Sequence, residues 1–205
     1  MRKIILVVTL FFLAVNTKAQ QDPQYTQYMY NMNIINPAYA GSSDATSVGI
    51  LYRNQWDGID GAPKTGTMNI HFPAGKNVGL GFSAISDEIG PVSETNLYID
   101  FSYTLSLAKG NKLAFGIKAG GTFHDIGLVD LTLIDPNDPF FASDVNGNTP
   151  NVGAGVYFYK PNKYYVSVSV PNILESVHLD YNDYNIGSET QHVFAAAGYV
   201  FISKT

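Results

Sequence analysis

Asn77-Val-Gly-Leu-Gly-Phe-Ser-Ala84 decides the fold. Val78, Leu80, Phe82 and Ala84 share one face of an extended chain, and Asn77, Gly79, Gly81 and Ser83 share the other. The pattern recurs from Ala45 to Ile202, with candidate strands at Ala45–Asn54, Thr65–Phe72, Asn77–Ser86, Thr95–Leu107, Lys112–His124, Asn151–Tyr159, Lys163–Val170 and Thr190–Ile202. Each strand offers an apolar face, and no amphipathic helix is present to cover those faces. The opposite faces carry Gly, Ser, Thr and Asn, which suit a wet lumen. These features predict an antiparallel transmembrane β-barrel of about eight strands, several approaching the roughly 9–11 residues a tilted membrane strand needs.

The predicted lipid-facing positions include Met68, Ile70 and Phe72; the alternate residues Leu97 to Leu107; Leu113, Phe115, Ile117 and Phe123; Val152, Val156 and Phe158; and Val166, Val168 and Val170. None is charged. A Lys or Arg at the bilayer midplane would cost about 2–4 kcal/mol, so this exclusion of charge is itself a membrane signal. Composition does not separate the classes, because alternating polar and apolar residues leave the average unremarkable: 45% hydrophobic, net charge −5. That charge gives no basis for nucleic-acid binding.

The one continuous apolar run, Ile4–Val15, follows Arg2-Lys3 and precedes Thr17-Lys-Ala19. It predicts a signal peptide over 1–19, a periplasmic segment over 20–44 and the barrel over 45–205. The absence of cysteine means an exported chain that does not rely on disulfides. Connections alternate in kind. Pro73-Ala-Gly-Lys76, Ala108-Lys-Gly-Asn111 and Lys160-Pro-Asn-Lys163 are tight and each carries Lys; Gln55–Lys64, Asp87–Glu94, Asp125–Pro150 and Pro171–Glu189 are longer and rich in Asp, Glu, Asn and Gly. Short turns face the periplasm in such barrels and long loops face outside, so the N-terminus is expected in the periplasm and the acidic loops outside the cell.

Pro73-Ala-Gly75 and Ala108-Lys-Gly110 read as three-residue hairpin loops ending in a left-handed glycine. The second pairs Leu107 with Asn111 and therefore Asp100 with Lys118, both pointing away from lipid: either a lumenal ion pair or two solvated pore-wall charges. The last strand is apolar on both faces, through Val193, Ala195, Ala197 and Tyr199 and through Phe194, Ala196 and Val200. Either about eight strands close on themselves or they are part of a larger barrel; the second reading is favoured, because no terminal aromatic closes the chain.

Gln21-Asp-Pro-Gln-Tyr-Thr-Gln-Tyr-Met29, Asn36-Pro-Ala-Tyr-Ala-Gly41, Tyr52-Arg-Asn-Gln-Trp-Asp57 and Gly61-Ala-Pro-Lys-Thr65 resemble segments of the PorP/SprF family. The likeness continues through Ser86–Gly90, Lys112–Ile117, Asn151–Val156 and Ser169-Val-Pro171. The resemblance implies an outer-membrane barrel of the type IX secretion and gliding-motility machinery, without enzymatic activity or cofactor. Its partners would be the lipid of the outer membrane, type IX components, and a secreted adhesin or other exported protein. The segment from Asp22 to Gly41 either covers the lower rim of the barrel or binds a periplasmic partner.

Other motifs carry weaker chemistry. Gly79-Leu-Gly-Phe-Ser-Ala84 has the letters of a dinucleotide fingerprint but lacks the helix that would receive the pyrophosphate. Asp144, Asn146 and Asn148 alternate oxygen ligands as a calcium loop does, yet Thr149 and Gly155 stand where such a loop needs Gly and a bidentate Glu. A solvated loop is the default reading there. His124 with Asp125, and His178 with Asp180 and Asp183, are the rim pairs a barrel hydrolase would use. Arg53, Gln55 and Trp56 fit a partner-binding site, while Trp56 equally fits an aromatic girdle. The runner-up to a secretion role is a passive pore for small solutes, and a rim hydrolase comes third.

Overall fold

In the computed structural model, residues 28, 32–129, 143–174, 177–181, 184–188 and 191–201 are described. The expected signal peptide lies outside them. Eight strands form one antiparallel sheet: β1 (Ser47–Asn54), β2 (Lys64–Pro73), β3 (Val78–Ile89), β4 (Val92–Ser106), β5 (Lys112–Ile126), β6 (Val145–Lys160), β7 (Tyr164–Val170) and β10 (Phe194–Tyr199). A separate hairpin, β8 (Val177–Tyr181) and β9 (Tyr184–Ser188), lies between β7 and β10 in sequence. The large sheet is a curled half-barrel with β1 and β10 at its edges, and these two do not pair among the described residues. No helix among the described residues is long and apolar enough to cross a membrane; the strands do the crossing.

Exposure alternates along the strands as the sequence pattern requires. Leu97, Ile99, Phe101, Tyr103 and Leu105 are exposed on one face of β4, while Asn96, Tyr98, Asp100 and Ser102 are buried on the other. The outer apolar band runs from Leu97 through Leu107, which is one tilted bilayer crossing. Beyond it the strands continue with polar outer positions: Ser86 opposite Thr95, then Glu88 opposite Ser93. Four strands thus reach 12 to 16 residues and project past the bilayer at the end opposite the Lys-bearing turns. In β10 the alternation assigns Ala195, Ala197 and Tyr199 to the exposed face and Phe194, Ala196 and Gly198 to the inner one, resolving the two-sided apolar pattern.

Three connections differ from the sequence reading. Asp87–Glu94 is not a long loop: Ile89 pairs with Val92, leaving a two-residue turn, Gly90-Pro91. Gly90 has φ +56 and proline fixes the next φ near −65°, which suits a type II′ hairpin. Asp125–Pro150 is shorter than expected because β6 already begins at Val145. The β2–β3 loop is Gly75-Lys76-Asn77, not Pro73-Ala-Gly75, because the Ala74 N–H donates to the Val78 carbonyl (2.8 Å) and Phe72 pairs with Leu80. That shift is an even number of residues, so every side chain keeps its face.

The sheet's concave face is not simply wet. A single helical turn, α1 (Met32–Ile35), and a 3₁₀ turn (Pro37–Tyr39) lie against it, with Asn33, Asn36 and Ala38 fully buried. Met32, Ile34, Ile35 and Ala38 pack with Ile85, Ala114, Tyr157 and Tyr159.

Candidate functional site

The candidate site is the concave face with the 32–41 segment seated in it. The wall reads that segment largely through its backbone. Ser169 Oγ donates to the Ile35 carbonyl (2.6 Å) and Ser102 Oγ to the Ala40 carbonyl (2.6 Å). Lys118 Nζ donates to the Asn33 carbonyl (3.4 Å) and to the Ile34 carbonyl. Two side chains of the segment answer in kind: Asn33 Nδ2 donates to Asp100 Oδ2 (2.9 Å), and Asn36 Nδ2 to Ser167 Oγ (2.7 Å) and the Val156 carbonyl (3.1 Å). Asn36 also caps the 3₁₀ turn, its Oδ1 accepting from Ala38 N–H at 2.9 Å.

Small residues on the wall follow from this contact. A side chain on Gly116 would overlap the backbone of Pro37 and Ala38, and one on Gly79 would overlap the Ala40 carbonyl. Gly79 and Gly81 are therefore a bed for the inserted segment, inside strand β3, which disposes of the nucleotide fingerprint. Their role differs from the wet-lumen explanation drawn from the sequence.

Asp100 and Lys118 are directly opposite in the β4–β5 register, as counting from Leu107 and Asn111 requires, and lie 3.8 Å apart with side chains 0% and 1% exposed. Such burial is not that of solvated wall charges. Lys118 also stands 5.0 Å from the Tyr98 ring centroid. From this pair a polar ladder climbs the inner face of β4 and β5. Tyr98 OH donates to Asn96 Oδ1 (3.4 Å), Thr122 Oγ1 donates to the same oxygen (2.5 Å), and Asn96 Nδ2 donates to Glu94 Oε1 (2.6 Å). Glu94 in turn faces His124 Nδ1 at 3.6 Å.

The remaining candidates do not converge. His124 is buried on the inner face and Asp125 exposed on the outer one, so the two are not a rim pair. His178 and Asp180 fall on β8, and Asp183 lies outside the described residues. Asp144 Oδ1 accepts from Val129 N–H (3.1 Å), while Asn146 and Asn148 belong to β6, paired with Asp125 and Phe123, in place of the expected loop. No group of three or more His, Cys, Asp or Glu able to hold a metal occurs among the described residues. Arg53 and Gln55 share the half-buried parity of β1, whereas Trp56 turns outward at φ +52, 67% exposed.

Against this geometry, the model of the type IX secretion system membrane protein PorP/SprF family matches residues 17–204. The chain belongs to the PorP/SprF family. It is an outer-membrane β-barrel component of the type IX secretion system, and PorP/SprF proteins are secretion-system membrane components, not a known enzyme family. Comparison with curated proteins finds no match, and comparison with solved structures finds none. Sequence reasoning left open where the Asn36-Pro-Ala-Tyr-Ala-Gly41 stretch goes. The clue was the alignment of Gly79, Gly81, Gly116 and Gly155 on inner faces, more small residues than solvent requires.

Proposed function

We propose that this PorP/SprF chain acts through protein partners at the outer membrane, supporting export or surface anchoring of a secreted protein such as an adhesin. The observation that carries this reading is the inner face, where Asp100, Ser102, Lys118, Ser167 and Ser169 bond to the chain's own 32–41 segment and are not left open to solutes. A pore would keep that face hydrated. In this reading the Lys-bearing short turns and the N-terminus are periplasmic, and the projecting ends of β3–β6 with their acidic residues are extracellular. Trp56, exposed at the first outer connection with Arg53 and Gln55 beside it in sequence, is then the point at which this candidate set meets a surface partner.

The test is deletion of the gene with surface display of individual secreted adhesins as readout, paired with planar-bilayer recording of the purified protein. Loss of display of one adhesin, with no large open-channel current, is the expected result. Normal display together with a large steady current would replace the secretion role by a passive pore.

A further inference from the structure

At the short-turn end of the half-barrel a cavity of about 170 Å³ opens, with Ser43, Asp44, Lys76, Asn77, Ser106 and Lys112 in its wall. Ser106 and Lys112 are register partners and share the inner parity of Ser102 and Lys118, so the cavity lies on the concave side of the sheet, not on its lipid face. Lys112 stands 5.7 Å from the Tyr159 ring centroid, and Lys76 projects from the β2–β3 turn. The adjoining turns add exposed Lys109 and Lys163, and Lys160, whose Nζ donates to the Lys109 carbonyl at 2.6 Å. In the cavity wall itself Lys76 and Lys112 stand against Asp44, and the other three lysines lie on the turns around it.

This concentration of positive charge occurs in a chain of net charge −5, whose other end carries Asp57, Asp60, Glu88, Glu94, Asp125 and Asp144. A mouth of one sign, walled by low-dielectric protein, gathers ligands of the other sign. The cavity exceeds the roughly 30 Å³ share of one water several-fold, enough for a carboxylate with its hydration. Ammonium groups from two different hairpins offer it charge-assisted hydrogen bonds. Lipid phosphates would meet the outer surface, whereas this opening faces the aqueous side.

We propose that the short-turn mouth is a docking site for an acidic, Asp/Glu-rich segment of a periplasmic protein, with one carboxylate seated between Lys76 and Lys112. The proposal rests on the periplasmic assignment of the short turns above. It goes beyond that assignment by naming the partner's chemistry and the two lysines that select it.

The experiment uses the full chain in phosphatidylcholine nanodiscs and a fluorescent octaglutamate peptide, read by anisotropy from low to physiological salt. Saturable binding that weakens with salt is expected. Lys76→Glu with Lys112→Glu reduces affinity about tenfold or more, since the loss of even one charge-assisted bond of about 1.5–3 kcal/mol reaches that ratio. Lys76→Arg with Lys112→Arg retains binding, which separates charge from misfolding. Lys109→Glu with Lys163→Glu makes the same charge change outside the cavity and costs less than about threefold, as rim charges act mainly on encounter rates. Equal losses from both Glu pairs, or no binding by the unaltered chain, overturn the proposal. Displacement of the peptide by phosphatidylglycerol in the nanodisc would hand the site to lipid headgroups and overturn it too. Orientation is read separately: Lys76→Cys labelled by an impermeant maleimide on intact cells would refute the periplasmic assignment while the peptide result stood.

Discussion

Replacing Lys118 by methionine tests whether the inner face holds its inserted segment by charge. The ammonium lies 3.8 Å from Asp100 Oδ1, and Asp100 is left with the Asn33 side chain as its hydrogen-bond donor once Lys118 is gone. The Asn33 and Ile34 carbonyls lose the Nζ donor as well. Breaking a buried pair from one side costs about 3–5 kcal/mol, because the remaining charge is stranded. An orphaned buried carbonyl costs about 1–3 kcal/mol, partly the same loss counted again, so about 3–5 kcal/mol is expected in total. Met keeps the apolar stem, so this is not a cavity effect. Adding Asp100→Asn removes the stranded charge and recovers at least about 2 kcal/mol, as coupled neighbours in one network do. The assay is urea unfolding from lipid vesicles, followed by Trp56, the single tryptophan. A Lys118→Met protein within about 0.5 kcal/mol of the parent, or a double variant whose losses simply add, would refute the reasoning.

Ile99→Arg, at a position 65% exposed within the outer apolar band, is expected to cost about 2–4 kcal/mol by the same unfolding measurement, while Glu88→Arg beyond the band costs about 0–1 kcal/mol; equal costs would take lipid away from that face. Gly116→Val drives a side chain into Pro37 and Ala38 and is expected to unseat the 32–41 segment. Protease cleavage near Ala38 and a raised bilayer conductance are the readouts, and an unchanged digest would contradict the contact. Gly90→Ala, at φ +56, is expected to lose about 1 kcal/mol from the β3–β4 turn, a value checked by the urea midpoint.

Faces were legible in the sequence because period two survives any even slip of register. Phe72 stays outward whether it pairs with Leu80 or with a nearer residue. The β4–β5 register was legible because Ala108-Lys-Gly110 closes in one way, with Lys109 and Gly110 both left-handed (φ +62 and +76). The β3–β4 turn was misread because Asp87, Glu88 and Glu94 look like loop residues, while the Gly90-Pro91 pair was the stronger punctuation. Asp87 is in fact buried and hydrogen-bonded to Thr65 on the neighbouring strand. The seat of residues 32–41 was illegible for a different reason. The bonds that hold residues 33–40 to the wall join residues 62 to 134 positions apart, and neither alternation nor turn chemistry reaches that far.

Those same spans govern how the protein comes to exist. The N-terminal part of the described chain is held by a strand far along it, since Asn36 bonds to Ser167 and Ser169 to Ile35. Loop-closure entropy over such distances makes these contacts late and slow. Until that docking, Lys118 and Asp100 lack the segment that covers them, so the interval before enclosure is when chaperones and proteases find their target.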